Sequence, residues 1–275
     1  MTTERIAFIG GGNMATSLIA GLIADGHSPH RIVASDPDQT KREALAARYG
    51  IETTADNQSA LRNAEAALLC VKPQIARAVC LELAPAAARV PLIISVMAGI
   101  LERSIQGWLG GPRALVRAMP NTPAMIQAGA IVLHATPQVT AEQQSQAETI
   151  LRAGGLTQWV DAEELMDAVT ALSGSGPAYF FLLMETLEQA GTRLGLDAES
   201  ARLLTIQTAL GAARMAMESA DSPQELRLRV TSPNGTTERA LQVLESGGFG
   251  TLIDEAVAAA RERSRELSHL LGEQS

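Results

Sequence analysis

From Arg5 to Val160 the chain alternates short apolar runs with stretches whose apolar residues recur every three or four positions. The runs are Arg5–Gly10, Arg31–Ser35, Ala66–Val71, Leu92–Val96, Ala114–Ala118, Ala130–Leu133 and Leu156–Val160. Helical spacing begins near Met14, Asp38, Gln74, Leu101 and Thr140. A continuous apolar run marks a strand buried on both faces, and such strands separated by helices predict a mostly parallel sheet covered on both sides. The later runs follow shorter connections, which leaves room for antiparallel pairing at one edge.

After about Asp161 the strand signal disappears. Helical spacing covers Glu163–Leu172, Pro177–Leu194, Ala198–Glu218, Thr236–Glu245 and Thr251–Leu271. Breakers separate these segments: "SGSGP" at 173–177, "GLD" at 195–197, "SADSP" at 219–223 and "SGGFG" at 246–250. There is no internal repeat. Strands with helices followed by helices alone predict an α/β domain over residues 1–161 and an all-helical domain over 162–275. A length of 275 residues suits two domains.

Composition narrows the picture. Hydrophobic residues make up 46% but aromatics only 3%, so the cores must be aliphatic. A net charge of −8 argues against nucleic-acid and anionic-membrane partners. No window approaches about twenty uninterrupted apolar residues, and no basic segment with an apolar stretch precedes "RIAFIG". A cytoplasmic protein is therefore expected. Cys70 and Cys80 are too few for a disulfide framework, and His27, His30, His134 and His269 lack metal-ligand spacing, so no metal is expected.

The first strand leads into "GGGNMA", with Gly10, Gly12 and Ala15 at the positions of a G-x-G-x-x-G/A turn. Gly10 permits the tight turn, Gly12 lets backbone amides approach a pyrophosphate, and Ala15 allows close helix–strand packing. Phosphates then lie at the positive end of the helix. Strand before and helix after make this a dinucleotide site of the Rossmann type. The second strand ends in "ASDPDQTKR", where an acidic side chain would bond the ribose 2′-hydroxyl of NAD and repel the 2′-phosphate of NADP. Either Asp36 or Ser35 faces the ribose, Asp36 is otherwise a helix cap, and Lys41 and Arg42 are near enough to attract a phosphate. "LLCVKPQ" (68–74), "SVMAGI" (95–100) and "RAMPNTPA" (117–124) end later strands, where ligands bind in open α/β sheets. Lys72 reads equally well as a surface charge. Asn121 sits in a rigid polar corner there, a candidate substrate contact.

The chain has two lysines, Lys41 and Lys72, and none in the helical half. Oxidising an alcohol needs a group that takes its proton. Reducing a protonated imine needs far less, so a C=N substrate is favoured. "VTSPNGTTERAL" (230–241) sets the hydroxyls of Thr231, Ser232, Thr236 and Thr237 around Pro233-Asn234-Gly235 at the start of a helix.

"GGGNMA", "VKPQ", "MPNTPA", "ALSGSGPAY", "TSPNGTTERAL" and "LESGGF" occur in the order and spacing seen in pyrroline-5-carboxylate reductases, and the chain resembles that family over nearly its whole length. The resemblance implies reduction of Δ1-pyrroline-5-carboxylate to L-proline by NADPH or NADH, the last step of proline synthesis. It also implies a dinucleotide domain and a helical domain that joins two subunits, with dimers in turn forming a ring. Carried over, the pyrophosphate contacts fall on the loop of Gly11, Gly12, Asn13 and Met14 that follows Gly10, and Asn57 lies along the adenosine. Val71, Lys72, Pro73, Met97 and Ala98 line the nicotinamide ribose. The substrate side matches Ser232, Gly235, Thr236 and Thr237. Asp36 departs from the small hydroxyl residue common in NADPH-using relatives, so NADP(H) and NAD(H) both stay open.

A helix start supplies free amides and a favourable dipole, so it holds a carboxylate without Arg or Lys. On that basis Thr237 is expected near the imine nitrogen, while Ser232 and the 235–237 amides hold the carboxylate. Two alternatives compete: another NAD(P)-dependent imine or β-hydroxyacid oxidoreductase of this build, or a dinucleotide-sensing regulator. The missing lysine disfavours the hydroxyacid enzymes, and a regulator has no use for the hydroxyl-rich helix start.

Overall fold

The structure is a computed structural model that describes residues 4–272. Contacts divide it into two compact units. One runs to Ser175 and takes in the end of the chain from Ala260, and the other is Gly176–Ala259.

The first unit is built on strands β1 (Ile6–Ile9), β2 (Ile32–Ser35), β3 (Glu52–Thr54), β4 (Ala66–Leu69), β5 (Leu92–Ser95), β6 (Leu115–Met119), β7 (Gly129–Ala135) and β8 (Gly155–Trp159). They form one sheet in the order β3-β2-β1-β4-β5-β6-β7-β8. All neighbours are parallel except β6 and β7, which run antiparallel. The helices between them are α1 (Asn13–Ala24), α2 (Gln39–Tyr49), α3 (Asn57–Ala60), α4 (Ala76–Ala87), α5 (Glu102–Trp108) and α6 (Ala141–Arg152).

Successive side chains of a strand point to opposite faces, and both faces are filled here. Ile6 and Phe8 join Leu18, Leu22, Leu45, Ile150 and Leu151 on one side. Ala7 and Ile9 join Ala60, Cys80, Leu83 and Ile105 on the other. Being buried on both faces is why these strands read as unbroken apolar runs. Burial pushes the thiols of Cys70 and Cys80 up to about 12, so both stay protonated.

β3 and α3 had no signal in the hydrophobic pattern. β3 is a polar three-residue edge strand that buries little, so no apolar run announces it. Beyond β8 the expected helix at 163–172 is instead α7 (Leu165–Val169) followed by a π turn at Thr170–Gly174. The "SGSGP" stretch is no break: Ser175 donates its N–H to the Thr170 carbonyl at 2.8 Å, and α8 (Gly176–Arg193) begins at the next residue.

The second unit contains α8, α9 (Ala198–Glu218), α10 (Pro223–Arg229), α11 (Thr236–Ser246) and the first part of α12 (Phe249–Gly272). The Asp197 side chain accepts the Ser200 N–H to start α9, and Ser222 with Glu225 forms a reciprocal capping box for α10. α10 starts at the last residue of the expected breaker and runs through a stretch where no helix was expected. Its Pro223 occupies the first helical turn, where a missing N–H costs nothing. No described helix is long and apolar enough to cross a membrane.

Candidate active site

β1 lies between β2 and β4, so the chain leaves it to one side and later returns to the other. Ligands bind at such a reversal, beyond the carboxyl ends of the strands. Parallel register brings Gly10, Asp36, Val71, Ala98 and Asn121 to that same edge.

Gly10 has φ +101°, and a Cβ there would stand 2.8 Å from the Cys70 carbonyl oxygen. Only glycine makes that turn against β4. Gly12 is the N-cap of α1 in extended geometry, and the space where its Cβ would point is open. The first turn of α1 carries no side-chain cap and no acidic residue. Its amides are therefore presented toward open space with no competing carboxylate, a cradle that fits a pyrophosphate. Asn13 is exposed and Met14 half-buried beside it.

Asp36 is buried, and it shapes this loop. Its Oδ2 accepts the Gly11 N–H at 2.9 Å, its Oδ1 accepts the Asp38 N–H at 2.9 Å, and Lys41 Nζ lies 3.6 Å from Oδ2. Arg42 turns inward to the carbonyls of Asp36 and Pro37, at 2.7 and 2.9 Å. Ser35 is fully buried, and its hydroxyl donates to Asn57 Oδ1 at 2.7 Å. Asn57 Nδ2 in turn donates to Glu82 Oε2 at 3.3 Å. Ser35 and Asn57 thus brace each other beneath the edge, while Asp36 holds the glycine loop.

Val71 and Pro73 are half-buried, and Lys72 and Ala98 are exposed. Met97 is different: its side chain belongs to the second core, so only its backbone is on offer at the edge. The Asn121 amide is engaged at both ends, taking the Ala130 N–H at 3.0 Å and donating to Ser173 O at 3.3 Å.

Four charged or titratable groups near this edge escaped the sequence reading. Arg117, on β6, is 3% exposed and donates through Nη1 to Glu163 Oε1 at 2.7 Å. The same oxygen accepts the backbone N–H of Glu102 at 2.8 Å. The Glu102 carboxylate meets His134 Nδ1 at 2.6 Å. Burial pushes the Glu102 carboxyl up, the Glu163 charge adds to this, and the bond to His134 opposes it. The signal was present: Arg117 interrupts an otherwise apolar strand, "ALVRAM".

The hydroxyl-rich stretch lies in the second unit. Ser232 O accepts the Gly235 N–H at 3.0 Å, with Asn234 between them at φ +58°, a left-handed turn that asparagine tolerates. Gly235 is the N-cap of α11, and no side chain caps the first turn. Glu238 reaches back to the Asn234 N–H at 2.7 Å. Ser232 and Thr236 are exposed and Thr237 half-buried, so hydroxyls and first-turn amides of an eleven-residue helix share one end. No group of three or more potential metal-ligand side chains occurs among the described residues.

Comparison with known proteins places both regions. Residues 163–267 match the family model for pyrroline-5-carboxylate reductase dimerisation, and residues 5–99 match that for coenzyme F420-dependent NADP oxidoreductases. A pyrroline-5-carboxylate reductase of Pseudomonas aeruginosa is 52% identical, the match covering 99% of this chain and all of the relative. A solved pyrroline-5-carboxylate reductase from Coxiella burnetii superposes with TM-score 0.93 at 46% identity, covering 97% of this chain and 99% of the other. The Plasmodium falciparum pyrroline carboxylate reductase, solved with NADP bound, gives TM-score 0.86 at 28% identity over 98% of this chain and 99% of its own. At that identity and coverage, the chain belongs to the pyrroline-5-carboxylate reductase family.

Proposed function

We infer that this chain reduces the C=N bond of Δ1-pyrroline-5-carboxylate to give L-proline, using NADPH or NADH. The observation that carries the reading furthest is the uncapped first turn of α11, with Ser232 and Thr237 beside it and no lysine in that unit. The substrate is a small ring with one carboxylate and one imine, and it needs orientation more than acid–base chemistry.

The amides of Thr236 and Thr237 and the Ser232 hydroxyl hold the carboxylate, helped by the helix dipole, while the Gly235 N–H is spent on the Ser232 carbonyl. Thr237 hydrogen-bonds near the imine nitrogen and fixes the face of the ring. In the sheet unit, the amides of Gly12–Met14 hold the pyrophosphate, and the Val71–Pro73 and Met97–Ala98 segments line the nicotinamide ribose. When bound, the nicotinamide supplies the hydride. The protein supplies the alignment of the two partners. Asp36 stands where a 2′-phosphate would come, with Lys41 beside it to offset its charge. That pairing is compatible with either nucleotide.

The assembly we propose is a homodimer through the helical unit, with dimers gathered into a ring, working in the cytoplasm. The deciding experiment is oxidation of NADPH, and separately of NADH, on addition of pyrroline-5-carboxylate. Turnover with at least one is expected, and none with either would reject the reductase reading in favour of a dinucleotide-sensing protein.

A further inference from the structure

β6 touches the segment 163–175 at both of its ends. At the first end the buried Arg117 guanidinium grips Glu163, whose same oxygen also holds the Glu102 amide at the start of α5. At the other end Asn121, two residues past β6, donates to the Ser173 carbonyl at 3.3 Å and to its hydroxyl at 3.4 Å. Between them Met119 lies so close to Gly174 that a Cβ on that residue would stand 2.5 Å from Met119 Cε. Asp167, midway, accepts the Ser264 hydroxyl at 2.7 Å. The segment so held ends in a π turn, a rare form that is frequent at functional sites.

We propose that Arg117 and Asn121 are positioning residues of the reductase: together they fix the Glu163–Ser175 segment at the carboxyl end of β6, so that the Ser173-Gly174-Ser175 backbone stands at a set place on the sheet edge where the imine must meet the nicotinamide. Neither side chain touches the reacting atoms. A buried guanidinium is stable only with its partner in place, so the Arg117–Glu163 pair has one geometry and imposes it on the segment that Glu163 begins. The Asn121 amide sets the far end through hydrogen bonds to both β7 and Ser173. The π turn is thereby held open at the edge where Gly10, Val71 and Ala98 emerge.

The proposal rests on the reductase reading, and its test separates the two. Asn121→Asp keeps the acceptor for the Ala130 N–H and removes the donor to Ser173. Glu163→Ala removes the clasp, and Glu163→Gln keeps an acceptor oxygen for Arg117 and the Glu102 amide. We expect Asn121→Asp and Glu163→Ala each to lower kcat/KM for the imine by roughly 10–100-fold, mostly through KM. Binding of NADPH or NADH, followed by nicotinamide fluorescence, should change by no more than about twofold, and Glu163→Gln should recover most of the loss. Amide hydrogen exchange across residues 170–176 should be faster in Asn121→Asp than in the parent. Faster exchange there requires no turnover, so it tests the bracket even if the parent fails to reduce pyrroline-5-carboxylate. Unchanged exchange and unchanged kinetics in Asn121→Asp, which removes no buried charge, would overturn the proposal. So would a loss of cofactor binding in step with the imine KM, since the whole sheet edge would then be at fault.

Discussion

Thr237 carries the sharpest chemical expectation. It is half-buried at the first turn of α11, where an oriented hydroxyl adds one donor to the free amides. Thr237→Ala removes that donor and should lower kcat/KM for the imine by roughly 10–10³, with the helix intact by circular dichroism. Glu102 carries a different one. Its folded carboxyl titrates above the ordinary carboxylate range, chiefly through burial. In the unfolded chain it ionises at its usual value, so stability is lost as the pH rises from that value through the raised folded one. Glu102→Gln cannot ionise and escapes this loss. The melting temperature of the variant relative to the parent should therefore increase between about pH 4 and about pH 8; a difference that is flat or falls would contradict it. Ser35, Asp36 and Asn57 show where residue-level reading stopped. Their types pointed to a ribose, but which one turns inward depends on neighbours far away in sequence, Gly11 and Glu82 among them.

At the scale of elements, long periodic segments were legible and short ones were not. α6 is an example of the first kind, because Thr140 and Gln143 form a reciprocal capping box ahead of an apolar stripe at Ala147, Ile150 and Leu151. Thr140→Ala leaves the Gln143 amide without its side-chain acceptor, and should cost about 1 kcal/mol, lowering Tm by roughly 2–4 °C in thermal unfolding. An unchanged Tm would mean the cap is replaced by solvent at no cost. β3, α3 and α10 are of the second kind. They bury too little to print a period, and tertiary contacts rather than local preference stabilise them. The π turn at Thr170–Gly174 was invisible for another reason. Its glycines and serines have the composition of a break, and only the bond from Ser175 to Thr170 shows that the chain stays helical through them.

On the scale of the whole molecule, the two units differ in how well they cover themselves. The sheet unit buries its strands on both faces, whereas α8 and α9 leave Phe181, Leu187, Leu203 and Leu210 between 50% and 66% exposed. Apolar faces of that extent on helices mark an interface, and the dimerisation model matched to residues 163–267 names its kind. Leu203→Glu with Leu210→Glu places two charges in the proposed seam. Light scattering should show a shift toward monomer, with loss of turnover; a dimer of unchanged stability would place the seam on other helices.

The residue pattern by itself determined the parallel sheet, the glycine loop and its dinucleotide, and the helical second half, and it marked the hydroxyl-rich helix start. Each of these rests on local chemistry: burial on both faces, a backbone turn only glycine makes, helical periodicity, free amides at a helix start. Only the tertiary structure decided that Asp36 pins Gly11, that Met97 is core, that Arg117 pairs with Glu163 and that Asn121 bonds Ser173 in the π turn. The hydrogen bonds among those contacts join residues 25 to 52 positions apart, a separation no local pattern encodes.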